Sequence, residues 1–319
     1  MATAGVEVTN ACPWRCTTCL PASGLPRRRE LATDQMLHLL AVLAAAGYDG
    51  VCFSGGEPLG RPDFAVLLRA AVEGGLAVSL FTSGSGLDDR MLAALAGTGP
   101  EVVLSFDGGD PARHDEIRGE GSFAVASTAL RRLTEAGVRV SLACTVTRRN
   151  LPALAGVADL AAAHEVSRLT FAEVVRGGRA REHWPSLSLT AADRGRLREW
   201  FVEASAGWPG AGTALGVDSS CWVDGRSLYV TAEGRCYVCS EVAQFRPRNL
   251  CGQLTGRWDA DLALMAQVGR ATLTGCTCRY EMVARGSYVL VLDSPQPCVG
   301  LDYRPPGVLQ PPALSTGRR

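Results

Sequence analysis

The first two-thirds of the 319-residue chain alternates short β-branched runs with alanine- and leucine-rich stretches, which limits the fold more than any other feature. Within the latter stretches apolar residues recur three and four positions apart, which predicts amphipathic helices. Six such strand–helix units predict parallel strands in one sheet with right-handed crossovers. Because six units cannot close an eight-stranded barrel, we expect an α/β fold, an open partial (β/α)6 TIM-like barrel with its chemistry at the C-terminal strand ends. The predicted strands cover residues 5–9, 50–53, 77–81, 102–106, 138–144 and 168–171.

Changes in composition along the chain indicate where the domains end. A predicted helix over 191–206 is followed by a glycine- and proline-rich joint, and from there short strands, turns and seven cysteines take over. We therefore predict a barrel domain over 1–206 and a small C-terminal α+β domain over 207–303. The proline-rich segment 304–319 is predicted to be a disordered tail.

The composition also excludes several function classes. All 32 basic residues are arginine, so Schiff-base catalysis, pyridoxal-phosphate chemistry and a Walker A loop, which need lysine, are excluded. The 32 acidic residues balance this charge, which argues against nucleic acid or a membrane as partner. The N-terminus lacks a signal-peptide pattern, and we expect a cytoplasmic protein. In that compartment the twelve cysteines indicate metal or redox chemistry rather than disulfides.

Three cysteines follow the first predicted strand at close spacing, in the segment CPWRCTTC with Cys12, Cys16 and Cys19. Thiolates select zinc or iron–sulfur clusters. A zinc site needs four ligands, usually in two close pairs, whereas three cysteines in one loop suit a 4Fe–4S cluster with one open iron. The spacing and position resemble the CxxxCxxC signature of the radical S-adenosylmethionine (radical SAM) superfamily.

That resemblance extends to the ends of later strands and implies a second cofactor, SAM itself. The segment SGGEP at 54–58 is similar to the one with which the family holds the SAM amino group, and Arg118, in HDEIRGEGSF, is implied as the partner of its carboxylate. Asp107 is implied to meet the ribose hydroxyls, although it is equally readable as a turn residue. Where the family often has an aromatic residue against adenine this chain has Thr18, and Trp14 is an alternative for that role. The implied SAM contacts are Gly55, Gly56, Glu57, Ser83, Ser105, Asp107 and Arg118.

The C-terminal cysteines resemble the opening of the SPASM/twitch domains, which hold auxiliary iron–sulfur clusters. Twelve residues lie between Cys221 and Gly234, and four lie between that glycine and Cys239. The glycine is readable as a hairpin turn. Too few thiols remain for two auxiliary clusters, so the resemblance implies a twitch-like domain with one 4Fe–4S cluster. Zinc remains an alternative there. The implied ligands are Cys221, Cys239, Cys276 and Cys278, with Cys298 as a competitor for the last place.

The resemblance implies reductive cleavage of SAM and hydrogen abstraction by a 5′-deoxyadenosyl radical, with flavodoxin or ferredoxin as external electron donor. Because the first cluster cysteine is residue 12, we expect no leader-recognition domain before it, which favours a small substrate or a leader site supplied by a partner. The resemblance to short twitch-bearing enzymes implies that such a small substrate is sugar-derived. The chain resembles aminoglycoside-tailoring members of the neomycin C epimerase type. We accordingly predict an epimerase in antibiotic biosynthesis, with the Cys251 thiol as hydrogen donor and Cys236 as its rival. The alternatives are an aminocyclitol dehydrogenase, a peptide-modifying enzyme and, from another class, an iron–sulfur electron carrier.

Overall fold

The computed structural model describes residues 2–207, 213–216, 228–245, 250–268 and 289–293. Six parallel strands form its centre, joined in sequential order by helices, as the alternating pattern predicts. The expected α/β partial barrel is thereby confirmed. These strands are β1 (Thr3–Thr9), β2 (Gly50–Gly55), β3 (Ala77–Thr82), β4 (Glu101–Ser105), β5 (Val140–Val146) and β6 (Arg168–Glu173). The helices of this part are α1 (Thr33–Ala45), α2 (Phe64–Glu73), α3 (Asp89–Thr98), α4 (Pro111–Arg118), α5 (Ser122–Glu135) and α6 (Leu154–Ala163).

The side chains on the two faces of the sheet differ in burial, and this difference indicates which face is open to a site. Along β3 and β6 every second residue is fully buried, while the residues between are partly exposed. The buried set, such as Phe53, Leu80 and Phe171, belongs to the main apolar core together with helix residues. The other face lines an open interior, as expected of a barrel that six strands leave incomplete.

A short helix that the periodicity did not predict, α4, lies between β4 and α5. It begins where the Asp110 side chain accepts a hydrogen bond from the Arg113 backbone N–H at 3.0 Å, and Pro111 occupies its first turn. Both are helix-start signals, but the helix is strongly polar and shows no apolar stripe. Its last residue is Arg118, so this helix places a predicted SAM-binding residue.

The described strands of the C-terminal part continue the barrel sheet at both edges. β8 (Leu228–Val230) pairs in parallel with β1, and the hairpin partner β9 (Arg235–Tyr237) and β10 (Gly252–Gln253) follow outward. At the other edge β11 (Val289–Asp293) joins β6 to β7 (Thr213–Gly216). The remaining helices are α7 (Ala180–Leu187), α8 (Ala191–Gly207), α9 (Ser240–Phe245) and α10 (Trp258–Val268). The predicted domain over 207–303 and tail over 304–319 fall largely or wholly outside the described residues.

None of the described helices combines the length and the apolar character that a membrane span requires.

Candidate functional site

The loop that follows β1 carries Cys12, Cys16 and Cys19, all partly exposed, at the C-terminal end of the parallel strands. It is held from two sides. The Cys12 N–H donates to the Gly24 carbonyl at 2.9 Å, and the Thr17 N–H donates to the Ile117 carbonyl in α4 at 2.8 Å. The loop that carries the three thiols is therefore fixed at the C-terminal end of the strands, where parallel α/β barrels have their active sites.

Burial affects the pKa of two of these thiols. It raises the pKa of Cys12 to about 11, and it also raises the pKa of Cys16, where the Arg118 charge partly opposes it. In the described part of the chain no three His, Cys, Asp or Glu side chains are arranged to hold a single metal ion. A 4Fe–4S cluster spreads its thiolate ligands over separate irons, so its three cysteines need not converge on one point.

The glycine pair of SGGEP lies directly against the cysteine loop. A side chain on Gly55 would come within 2.3 Å of the Thr9 carbonyl, and one on Gly56 within 2.1 Å of the Ala11 carbonyl. Gly55 also has φ of +121°, a conformation that only glycine adopts readily. The Gly56 N–H donates to the Thr9 carbonyl at 2.7 Å. This close approach explains both glycines before any cofactor is considered.

The Glu57 carboxylate is buried and accepts hydrogen bonds from donors of the protein itself. It accepts hydrogen bonds from the Thr82 hydroxyl at 2.6 Å, from the Ser83 N–H at 2.8 Å and from the Leu59 N–H at 3.1 Å, as well as from the Ser83 hydroxyl. Burial raises its pKa, an effect these bonds only partly oppose. Its visible role is to hold Ser83 at the end of β3, and direct contact of its side chain with SAM stays a prediction.

Trp14 connects the cysteine loop to the same strand end. Its indole N–H donates to the Ser85 hydroxyl at 2.7 Å and to the Ser83 hydroxyl at 3.1 Å. Beside this group a cavity of about 710 Å³ opens, with Cys12, Glu57 and Ser85 in its wall. Its volume lies within the range of small-molecule sites.

Asp107 and Arg118 are buried together, which differs from the separate SAM contacts that the resemblance implied. Arg118 Nε lies 2.7 Å from Asp107 Oδ2, and Asp107 Oδ1 accepts a hydrogen bond from the Thr145 N–H at 2.7 Å. Asp107 is therefore fully buried with both carboxylate oxygens contacting groups of the chain, and its contact with ribose stays a prediction. Burial opposes the charge on Arg118, but the Asp107 carboxylate raises its pKa overall. Ser105, the last residue of β4, is partly exposed close by in sequence.

A residue that sequence reasoning missed, Arg179, lies between β6 and α7 and binds the cysteine loop. Its Nε donates to the Cys16 carbonyl at 2.8 Å and its Nη1 to the Ser23 carbonyl at 2.6 Å. The available signal was Gly-Gly-Arg a few residues after a strand, at the end where parallel barrels carry their functional loops. By contrast the carboxylate of Glu173, the last residue of β6, accepts hydrogen bonds from the Arg194 guanidinium at 2.6 and 2.9 Å.

Three of the four predicted auxiliary ligands lie outside the described residues. Cys221, Cys276, Cys278 and the competitor Cys298 lie outside the described residues, and Cys239 follows β9 in a partly buried position. Gly234, with φ of +80°, makes the predicted turn between β8 and β9. Cys251 is partly buried, and its N–H donates to the Cys236 carbonyl at 2.9 Å. The auxiliary cluster stays a prediction.

Residues 6–153 match the family model described as the Radical SAM superfamily. The match runs from within β1 to the residue before α6 and includes all three loop cysteines. The resemblance seen in the sequence is confirmed at this level.

The curated relatives narrow the comparison further. Mycofactocin maturase MftC of Mycolicibacterium smegmatis is 33% identical over 198 residues, covering 61% of this chain and 50% of MftC. PqqA peptide cyclase of Rhodopseudomonas palustris is 35% identical over 190 residues, covering 59% of this chain and 50% of the cyclase. The chain thus spans about half the length of these relatives.

Solved structures share the fold. Streptococcus suis SuiB, bound to S-adenosylmethionine and bound to the precursor peptide SuiA, matches in each case with a TM-score of 0.62. Each match has 16% identity and covers 76% of this chain and 60% of SuiB. Identity this low concerns the fold alone.

Proposed function

We propose that this protein is a radical SAM enzyme that modifies a peptide. The observation that carries the enzyme class is the convergence of the cysteine loop, the glycine pair and Arg118 at one end of the barrel. The peptide substrate is supported by the relationship to a PqqA peptide cyclase at 35% identity.

The residues present fit a 4Fe–4S cluster with SAM. Three partly exposed thiols share one tethered loop, a cavity opens beside Cys12, and a buried arginine nitrogen near the loop lacks a partner within the described residues. When bound, the cluster and SAM supply a one-electron cleavage that generates a radical able to abstract hydrogen from an unactivated carbon.

The chain's own contribution is to hold and orient these groups. Cys12, Cys16 and Cys19 would each ligate one iron, leaving the fourth for SAM. The buried Glu57 keeps Ser83 in place, and Asp107 keeps Arg118 beside the loop, where its guanidinium is suited to a carboxylate. The partly exposed interior face of the strands would receive the substrate.

This proposal replaces the sugar epimerase expected from the sequence. Neither relative described above is named for a sugar substrate, and the peptide-modifying alternative agrees better with them. The expectation rested on the position of Cys12 in the chain, on a resemblance to aminoglycoside-tailoring members and on the spare thiol of Cys251.

The experiment that tests this function supplies both substrate classes to the reconstituted protein. With SAM and dithionite, a short peptide encoded beside its gene is expected to change mass and to raise 5′-deoxyadenosine formation above the substrate-free level. A panel of aminoglycosides serves as the comparison. Turnover of an aminoglycoside but of no such peptide would contradict the proposed substrate class and restore the sugar reading.

Cys251 is retained in this proposal as a hydrogen donor to a substrate radical. Burial raises the pKa of its thiol and so favours the protonated form that donation requires. Cys251→Ala is expected to leave iron content and 5′-deoxyadenosine formation unchanged while abolishing solvent deuterium incorporation into the product in deuterated water. Cys236→Ala is the matched control on the neighbouring strand. Unchanged deuterium incorporation in Cys251→Ala would remove this residue from the reaction.

A further inference from the structure

Arg179 makes three hydrogen bonds to the cysteine loop. Besides the two guanidinium bonds to the Cys16 and Ser23 carbonyls, its backbone N–H donates to the Cys19 carbonyl at 3.1 Å. Three donors of one residue thus bind the carbonyls of the second and third cysteines and of Ser23. These three hydrogen bonds fix Arg179 and the cysteine loop relative to each other.

The residue before it shows how tightly the two segments are pressed together. Gly178 has φ of +49°, and a side chain there would come within 2.2 Å of both the Cys19 and Leu20 carbonyl oxygens. Only glycine can occupy such a place without displacing backbone. This contact delivers the Arg179 guanidinium to one defined position beside the cysteines.

One nitrogen of the Arg179 guanidinium, Nη2, takes no part in these bonds. Arg179 Nη2 is buried and has no hydrogen-bond partner among the described residues. A buried donor left unpaired costs about 1–3 kcal/mol, and such exceptions in native proteins often mark an ion or ligand site.

We propose that Arg179 Nη2 donates a hydrogen bond to a sulfur of the iron–sulfur cluster held by Cys12, Cys16 and Cys19, and that its charge stabilises the reduced cluster. The inference rests on the cluster of the proposed function, not on its substrate. Reduction adds one electron from dithionite, taking the cluster from the 2+ to the 1+ state while dithionite is oxidised. Hydrogen bonds to the sulfurs and nearby positive charge set the reduction potential of such clusters. Arg179 is thus a positioning residue that also makes the cluster easier to reduce.

The test is an EPR-monitored redox titration of the reconstituted protein without substrate. Arg179→Gln is expected to lower the ratio of reduced to oxidised cluster at a fixed potential at least tenfold, a shift of 59 mV for one electron. Arg176→Gln, an exposed arginine three residues earlier on the same segment, is the matched control and should titrate like the wild type. An Arg179→Gln variant that carries wild-type iron and titrates with the control would overturn the proposal.

A second measurement decides the case in which Arg179→Gln binds no iron. Protein labelled with ¹⁵N at the arginine Nη positions, in an Arg118→Lys background, is reduced and examined by pulsed EPR. A ¹⁵N coupling to the cluster supports the bond from Arg179, and its absence contradicts it. Because neither measurement uses a peptide, failure of the peptide assay would leave both readouts intact.

Discussion

Replacing Cys12, Cys16 and Cys19 together by alanine is expected to remove one 4Fe–4S cluster, about four irons per chain, and to reduce 5′-deoxyadenosine formation to background. The reason is that the loop supplies all the protein ligands of that cluster, so the open iron that would bind SAM disappears with them. Iron analysis, the visible absorption of the reconstituted protein and product detection by mass spectrometry measure the three consequences.

Cys52→Ala is the control for this triple variant. Cys52 lies within β2 rather than in the cysteine loop, so it is not expected to ligate iron. The control should retain iron and SAM cleavage. Continued formation of 5′-deoxyadenosine by the triple variant would show that the radical chemistry is located elsewhere.

The second large effect is expected at the buried ion pair behind the cysteine loop. Asp107 is fully buried and the Arg118 side chain is 13% exposed, so Asp107→Ala leaves a nearly buried charge without its partner. Removing one member of a buried pair costs about 3–5 kcal/mol. The same change also removes the acceptor of the Thr145 N–H. Urea denaturation should show this as a lower free energy of unfolding.

Two further variants separate stability from cofactor binding. Asp159→Ala removes an exposed carboxylate from α6 and should change the free energy of unfolding by no more than about 0.5 kcal/mol. Arg118→Lys keeps the charge but not the bidentate guanidinium, and we expect it to weaken SAM binding. Wild-type stability of Asp107→Ala would mean that Arg118 finds another partner, and unchanged SAM affinity of Arg118→Lys would remove it from the site.

The barrel could be predicted because its elements are strongly periodic. β3 and β6 alternate in burial, and α2 and α5 carry apolar stripes, so short-range spacing already contained the pattern. Helix α4 was missed because it is polar and its stability depends on its ends rather than on an apolar face. The cysteine spacing was sufficient for the iron–sulfur prediction, since it concerns eight consecutive residues.

The tertiary structure decided which residues that are far apart in the sequence contact each other. Arg179 is 163 residues from Cys16, and nothing local in the sequence indicates that its guanidinium binds the carbonyl of that cysteine. The motif reading assigned Asp107 and Arg118 to different parts of SAM, whereas burial places them against each other. A charge that leaves water must find its partner within the folded chain, and the three-dimensional path of the backbone determines which one it meets.

The sequence by itself thus determined the succession of strands and helices, the three-cysteine loop and the need for glycine beside it. These depend on the chemistry and spacing of neighbouring residues. Only the tertiary structure decided that Glu57 accepts a hydrogen bond from Ser83 and that Asp107 forms an ion pair with Arg118. It also decided that Arg179 binds the cysteine loop. Such contacts join the ends of different parallel strands, which are far apart along the chain and meet only when the sheet has formed.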